Sequence, residues 1–157
     1  MKSRFGCFLA LAAFGLDRVT KLWAQQTLQP GVRVQVLPGL LHFLYVENTG
    51  AAFSILQGQR WLLLVITGGV IVCSSFYLLF RPKALSPLTR VAAWLLLGGA
   101  AGNFFDRAVH GAVTDFLEFG FMRFPVFNVA DCFVTIAFLL LAFSILQGEK
   151  ERKQENG

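Results

Sequence analysis

Asp17, Lys21, Asn48, Asn103, Asp106, Arg107, Asp115, Asn128 and Asp131 are the residues of this chain whose types and spacing could carry chemistry. Asp17 and Lys21 are spaced i,i+4 and share one helix face, where they can form an ion pair. Asn103 with Asp106, and Asn128 with Asp131, are spaced i,i+3, so each amide can lie beside its carboxylate. Arg107 could neutralise Asp106 or grip a carbonyl or phosphate. Asp115 and Asp131 come from different segments. Two carboxylates that meet in a poorly hydrated site cannot both ionise easily and tend to share one proton. That state suits peptide hydrolysis, because the ionised member draws a proton from water while the protonated member polarises the scissile carbonyl. A plainer reading has Asp115 capping a turn and Asp131 capping a helix, and the residues alone leave both open.

Other chemistries lack their residues. The chain contains no His-Glu-x-x-His run for zinc, no Gly-x-Ser-x-Gly elbow, no P-loop and no dinucleotide fingerprint. Ser54 has no His or Lys obviously placed as its base. Cys7, Cys73 and Cys132 lie in apolar runs without metal-ligand spacing to one another or to His42 or His110.

The elements that must position these residues are membrane helices. The chain has 157 residues, 55% hydrophobic and only 15% charged, more apolar than soluble domains usually are. Its net charge of +5 comes without a basic stripe interleaved with aromatics, which argues against nucleic acid as a partner. Four helices are expected in a single membrane domain, at about 5–24, 60–80, 88–108 and 127–147. The first run, Phe5 to Leu16 after Lys2 and Arg4, has the look of a signal peptide, but Asp17-Arg18-Val19-Thr20-Lys21 offers no small-x-small cleavage site. A retained helix extending to about Trp23 fits better. Gly98-Gly99-Ala100-Ala101-Gly102 would let helices approach closely.

Charge near the helix ends sets the orientation. Lys2, Arg4, Arg81, Lys83, Arg90, Lys150, Arg152 and Lys153 fall on one side, against Arg33, Arg60 and Arg123 in the loops of the other. The richer side is expected in the cytoplasm, together with both termini. Alternating helix direction then brings Asp17, Lys21, Asn103, Asp106, Arg107, Asn128 and Asp131 to one depth near the outer face, where Asp115 lies in a loop. Ionisable groups inside a span are expensive and read as functional.

Outside the helices, an extracytoplasmic segment at about 30–58 has Val32, Val34 and Val36 alternating with polar residues, a Pro38-Gly39 turn and a second strand candidate from Leu41 to Val46. Ala51 to Leu56 could form a short helix lying in the interface. A second extracytoplasmic loop, about 109–126, is rich in phenylalanine, and Val113 to Phe119 within it is a further strand candidate.

At these residues the sequence resembles lipoprotein signal peptidase, or signal peptidase II, a bacterial inner-membrane family. The likeness rests on five motifs in order: Asp17-x-x-x-Lys21; Asn48-Thr49-Gly50-Ala51-Ala52-Phe53-Ser54; Gly98-Gly99-Ala100-x-Gly102-Asn103-x-x-Asp106-Arg107; Val113-x-Asp115-Phe116; and Phe124-Pro125-x-Phe127-Asn128-Val129-Ala130-Asp131. The resemblance implies a mainly α membrane protein of four transmembrane helices, with a small extracytoplasmic β-cradle and a short interfacial helix. It implies an aspartic endopeptidase without metal or cofactor, which cleaves diacylglyceryl-modified prolipoproteins just before the lipidated cysteine. It implies Asp115 and Asp131 as the catalytic pair, Asn48, Gly50, Asn103, Arg107 and Asn128 as pocket or supporting positions, and Asp17, Lys21 and Asp106 as structural polar residues. The partners expected are prolipoproteins and membrane lipids, and a monomer is compatible with them. Arg18 and Cys132 depart from residues frequent in the family, without touching the pair. The competing readings are a small proton- or ion-coupled membrane transporter, which would need polar groups in the inner halves of the spans, and a non-catalytic lipoprotein-binding subunit.

Overall fold

The computed structural model describes residues 3–51 and 55–155, with side chains over 4–51 and 55–148. The described chain is mainly helical with one small sheet. Its elements are α1 (Ser3–Thr27), β1 (Arg33–Leu37), β2 (Leu41–Asn48), α2 (Arg60–Phe80), a 3-10 turn at Pro82–Ala84, α3 (Pro87–Val109), β3 (Val113–Phe119) and α4 (Val129–Glu155). Half of the short helix expected at 51–56 falls on residues 52–54, outside the described residues.

Helix α3 is the central member and packs against α1, α2 and α4. Its start is fixed locally: the Ser86 hydroxyl accepts the Thr89 N–H, and Pro87 opens the first turn. Its close neighbours are possible because it carries small residues on two faces. A Cβ on Gly98 would fall 2.5 Å from the Ala10 carbonyl oxygen of α1, and one on Gly102 would fall 2.3 Å from Oδ2 of Asp17. Gly102 therefore lets a buried carboxylate lie directly against the α3 backbone.

Helix α2 and residues 129–148 of α4 are each long and apolar enough to cross a membrane. Their outward side chains are bare: Val65 is 72% exposed and Leu139 is 65% exposed, as expected of faces solvated by lipid tails rather than water.

The sheet is antiparallel in the order β1-β2-β3. Its alternation divides β3 into two faces. Phe116 packs with Ala24 and Leu28 near the end of α1, and Thr114 accepts the Gln25 side-chain amide at 2.8 Å. Val113 and Asp115 face the opposite way, into a cavity. Beyond β3 the chain returns alongside it, with Phe127 bridged to Leu117, and this return delivers Asn128 and the start of α4 to the same place.

Candidate active site

The β2–β3 register sets the first contact. Val46 opposes Asp115 and Asn48 opposes Val113, so Asn48 and Asp115 are diagonal neighbours on one face of the sheet. Asn48 Nδ2 donates to Asp115 Oδ2 at 2.9 Å. Asn48 is itself held because its Oδ1 accepts the Gly50 N–H at 2.9 Å.

The start of α4 supplies the second contact. Asn128 Oδ1 accepts the Asp131 N–H at 3.0 Å, and Asp131 Oδ2 accepts the Asn128 N–H at 3.2 Å. This is the reciprocal capping arrangement that opens many helices, here built from Asn and Asp. Asp131 thus does cap α4, and capping fixes its carboxylate without taking it out of the cavity that it lines. With its Oδ1 committed to the cap, Asn128 turns Nδ2 to Asp115 Oδ1 at 2.6 Å. One side chain therefore spans both acidic residues.

Asn103 completes the set. Its Oδ1 accepts Lys21 Nζ at 2.9 Å, and its Nδ2 donates to Asp131 Oδ1 at 2.8 Å. Ammonium and backbone N–H groups can only donate, so they dictate which end of an amide faces them. Each of Asn48, Asn103 and Asn128 has its oxygen turned toward such a donor and its NH2 toward a carboxylate. All four carboxylate oxygens of Asp115 and Asp131 consequently accept an N–H from the protein. Among the described residues, neither carboxylate forms an ion pair.

A buried ion cluster adjoins this pair. Asp17, Lys21 and Asp106 have no exposed surface. Lys21 Nζ lies 2.9 Å from Asp17 Oδ2 and 2.9 Å from Asp106 Oδ2. Asp17 Oδ1 accepts the Ala130 N–H at 3.0 Å, tying α1 to the first turn of α4. Asp106 also pairs with Arg18. Of the two roles open to Arg107, neutralising Asp106 falls instead to Arg18 and Lys21. Arg107 Nη2 donates to the Gly50 carbonyl at 2.6 Å and its Nη1 to the Asn103 carbonyl at 3.3 Å. Asn103 likewise serves Asp131 and Lys21 rather than Asp106 on its own helix.

Asp115 and Asp131 open into a cavity of about 560 Å³, with Asn48, Asn103 and Arg107 also on its wall. Gly50 borders it through its bonds to Asn48 and Arg107, while Asn128 lies behind the wall, fully buried. Burial pushes the Asp115 carboxyl up to about 7, and the charge of Asp131 adds to this against the opposing bonds from Asn48 and Asn128. The remaining wall is mostly apolar, with Phe119 from β3, Phe124 and Phe127 from the segment that follows it, and Val134 and Phe138 from α4. Sequence reasoning passed over the α4 wall. Its signal was available, since positions 134, 135 and 138 follow Asp131 at the i+3, i+4 and i+7 spacing of one helix face.

The structure thus sets two carboxylates on the wall of a largely apolar cavity, beside helices long and apolar enough to cross a membrane. The profile described as signal peptidase (SPase) II matches residues 9–147. A lipoprotein signal peptidase of Nostoc punctiforme is 44% identical over 94% of this chain and 92% of its own length. Another, of Brevibacillus brevis, is 38% identical over 92% of this chain and 97% of its own. Two solved structures described as a bacterial membrane enzyme superpose with TM-scores of 0.88 and 0.81, at 30% and 31% identity, over 94% and 90% of this chain and 90% and 92% of theirs. The chain belongs to the signal peptidase II family of peptidases.

Proposed function

We propose that the chain is an aspartic endopeptidase that removes the signal peptide from diacylglyceryl-modified prolipoproteins, cleaving just before the lipidated cysteine. The observation that carries this reading is the double attachment of Asn128, which holds Asp115 through its side chain and Asp131 through its backbone N–H, with both carboxylates on one cavity wall. In this reading Asp115, whose carboxyl titrates near neutrality, keeps the shared proton and donates it as a hydrogen bond to the scissile carbonyl. Each of its oxygens still has a lone pair for its asparagine partner. Asp131 takes a proton from the attacking water. The hydroxide adds to the carbonyl carbon, and the tetrahedral intermediate then expels the cysteine nitrogen, which takes a proton from the pair. The signal peptide departs with a new carboxyl end.

The apolar cavity wall and the bare faces of α2 and α4 favour a substrate that arrives within the bilayer, its acyl chains remaining in lipid. On this view all four long helices cross the bacterial inner membrane as one domain. Both termini are cytoplasmic, and the carboxylates lie near the periplasmic face. Arg107 lines the cavity, and in this reading it holds a substrate carbonyl.

The test is cleavage of a diacylglyceryl-modified prolipoprotein by purified protein in detergent. Asp115→Asn and Asp131→Asn are each expected to abolish cleavage while leaving a folded protein, and normal processing by either variant rejects the pair.

A further inference from the structure

The buried cluster beside the carboxylate pair is not balanced by Lys21 alone. The Lys21 ammonium donates to Asn103 Oδ1 at 2.9 Å and lies equally close, 2.9 Å, to carboxylate oxygens of Asp17 and Asp106. One ammonium between two carboxylates leaves a buried negative charge without a partner, which is costly. Arg18 supplies the second cation. Its Nη1 bonds Asp106 Oδ1, and its guanidinium lies 4.7 Å from the Phe105 ring centroid, a stacking that holds the planar group in place.

We propose that Arg18 is a positioning residue for peptide-bond cleavage: by neutralising Asp106 it keeps Lys21 on Asn103, and thereby keeps the Asn103 amide on Asp131. The inference rests on the reading of Asp115 and Asp131 as the reacting pair. Without Arg18, Asp106 draws the ammonium toward itself and away from Asn103. The Asn103 oxygen is then left with only the Asn128 amide, which donates to it at 3.3 Å, so the Asn103 amide is held less firmly and Asp131 loses a fixed N–H.

Charge acts along the same route. The titratable and charged groups facing this region among the described residues are Asp17, Arg18 and Lys21 from α1, and Asp106 and Arg107 from α3. The Tyr45 hydroxyl from β2 with Glu47 bonded to it, Asp115 from β3, and Asp131 and Cys132 from α4 complete the set. The charge of Lys21 already reaches Asp115. Removing Arg18 turns a balanced cluster net negative, so the pair retains its proton to higher pH.

The experiment measures kcat and KM across pH for Arg18→Gln, Arg18→Lys and the double variant Arg18→Gln/Asp106→Asn, with the prolipoprotein assay in detergent and rates expressed per folded molecule. Arg18→Gln is expected to lower kcat about tenfold with KM changed less than about twofold, and to move the alkaline limb up by about half a pH unit. Arg18→Lys, which keeps the charge, restores both. The double variant regains neutrality and brings the limb back. The proposal is overturned if Arg18→Gln reduces only the amount of folded protein, with kcat and limb unchanged, or if Arg18→Lys behaves like Arg18→Gln. Asp115→Asn and Asp131→Asn are run alongside. Cleavage by either removes the carboxylate reading and this one with it, whereas their inactivity beside an unaltered Arg18→Gln removes only the role of Arg18.

Discussion

The molecule holds two sets of aspartates side by side and treats them in opposite ways. Asp17 and Asp106 meet cations, with Lys21 between them and Arg18 on the far side of Asp106. Asp115 and Asp131 meet N–H groups of amides, from Asn48, Asn103 and Asn128. A cation fixes a carboxylate in its charged state, and breaking such a buried pair is expensive. An amide fixes where a carboxylate points and leaves it free to gain or lose a proton. The first arrangement builds a scaffold, while the second builds a site that can do acid–base work. Lys21 and Asn103 are the point where the two meet.

The largest expected effects separate the two sets. Asp131→Asn should reduce cleavage by about 10³-fold and lower the thermal midpoint less than the loss of Lys21 does: an Asn can still accept the Asn128 N–H of the cap, although its NH2 then faces that of Asn103. Lys21→Met should do the reverse in kind: it leaves buried Asp17 without a cation and Asp106 with Arg18 alone, and should cost about 3–5 kcal/mol of stability, read as a lowered midpoint in detergent. A Lys21→Met protein that unfolds like the wild type would erase the distinction between scaffold and site. Next in size is Gly102→Ala. Its methyl would fall 2.3 Å from Oδ2 of Asp17, so α1 and α3 must part or the carboxylate must move, at about 1–3 kcal/mol. The same change at Gly69, where an added Cβ meets nothing within 4 Å, is the control.

Much of the scaffold was legible from residue types. The mainly helical class followed from long apolar runs, and the uninterrupted run bounded by Arg60 and Arg81 is α2. The small sheet was legible in the alternation around Val34 and in the turn at Pro38-Gly39, and β3 occupies the Val113–Phe119 segment read as a strand. Helices α1 and α3 were harder, because each mixes an apolar run with buried charge at one end, and charge is what length and composition count against a span. The partners of the polar residues were the least legible. Spacing along one helix offers Asp106 to Asn103, yet Lys21 from α1 and Asp131 from α4 take that amide instead. Arg18 stood only as a departure from residues frequent in the family, because its own helix shows no partner for it, and only the approach of α3 shows the carboxylate that claims it.

The smallest predicted effect probes the site through its proton. Burial holds the Asp115 carboxyl near 7 rather than its ordinary 3.8. The folded protein thus binds this proton more tightly than the unfolded chain does. The associated stability is fully present below about 3.8 and is lost as pH rises through about 7. Cleavage should follow the same direction on its alkaline side, falling as Asp115 gives up the proton it offers to the substrate carbonyl, with apparent values that belong to the pair. Asn48 sharpens this. Its N–H stabilises ionised Asp115, so Asn48→Ala should make the acid hold its proton longer and move the alkaline limb upward. Water entering the cavity can replace part of the lost bond, so the shift should be about half to one pH unit. The measurement is the pH dependence of kcat for the two proteins, compared with thermal midpoints taken at the same pH values. A limb that moves downward, or one that stays in place while the midpoints shift, would mean that the titrating group is not Asp115, and that amide-held carboxylates here serve structure as the cation-held ones do.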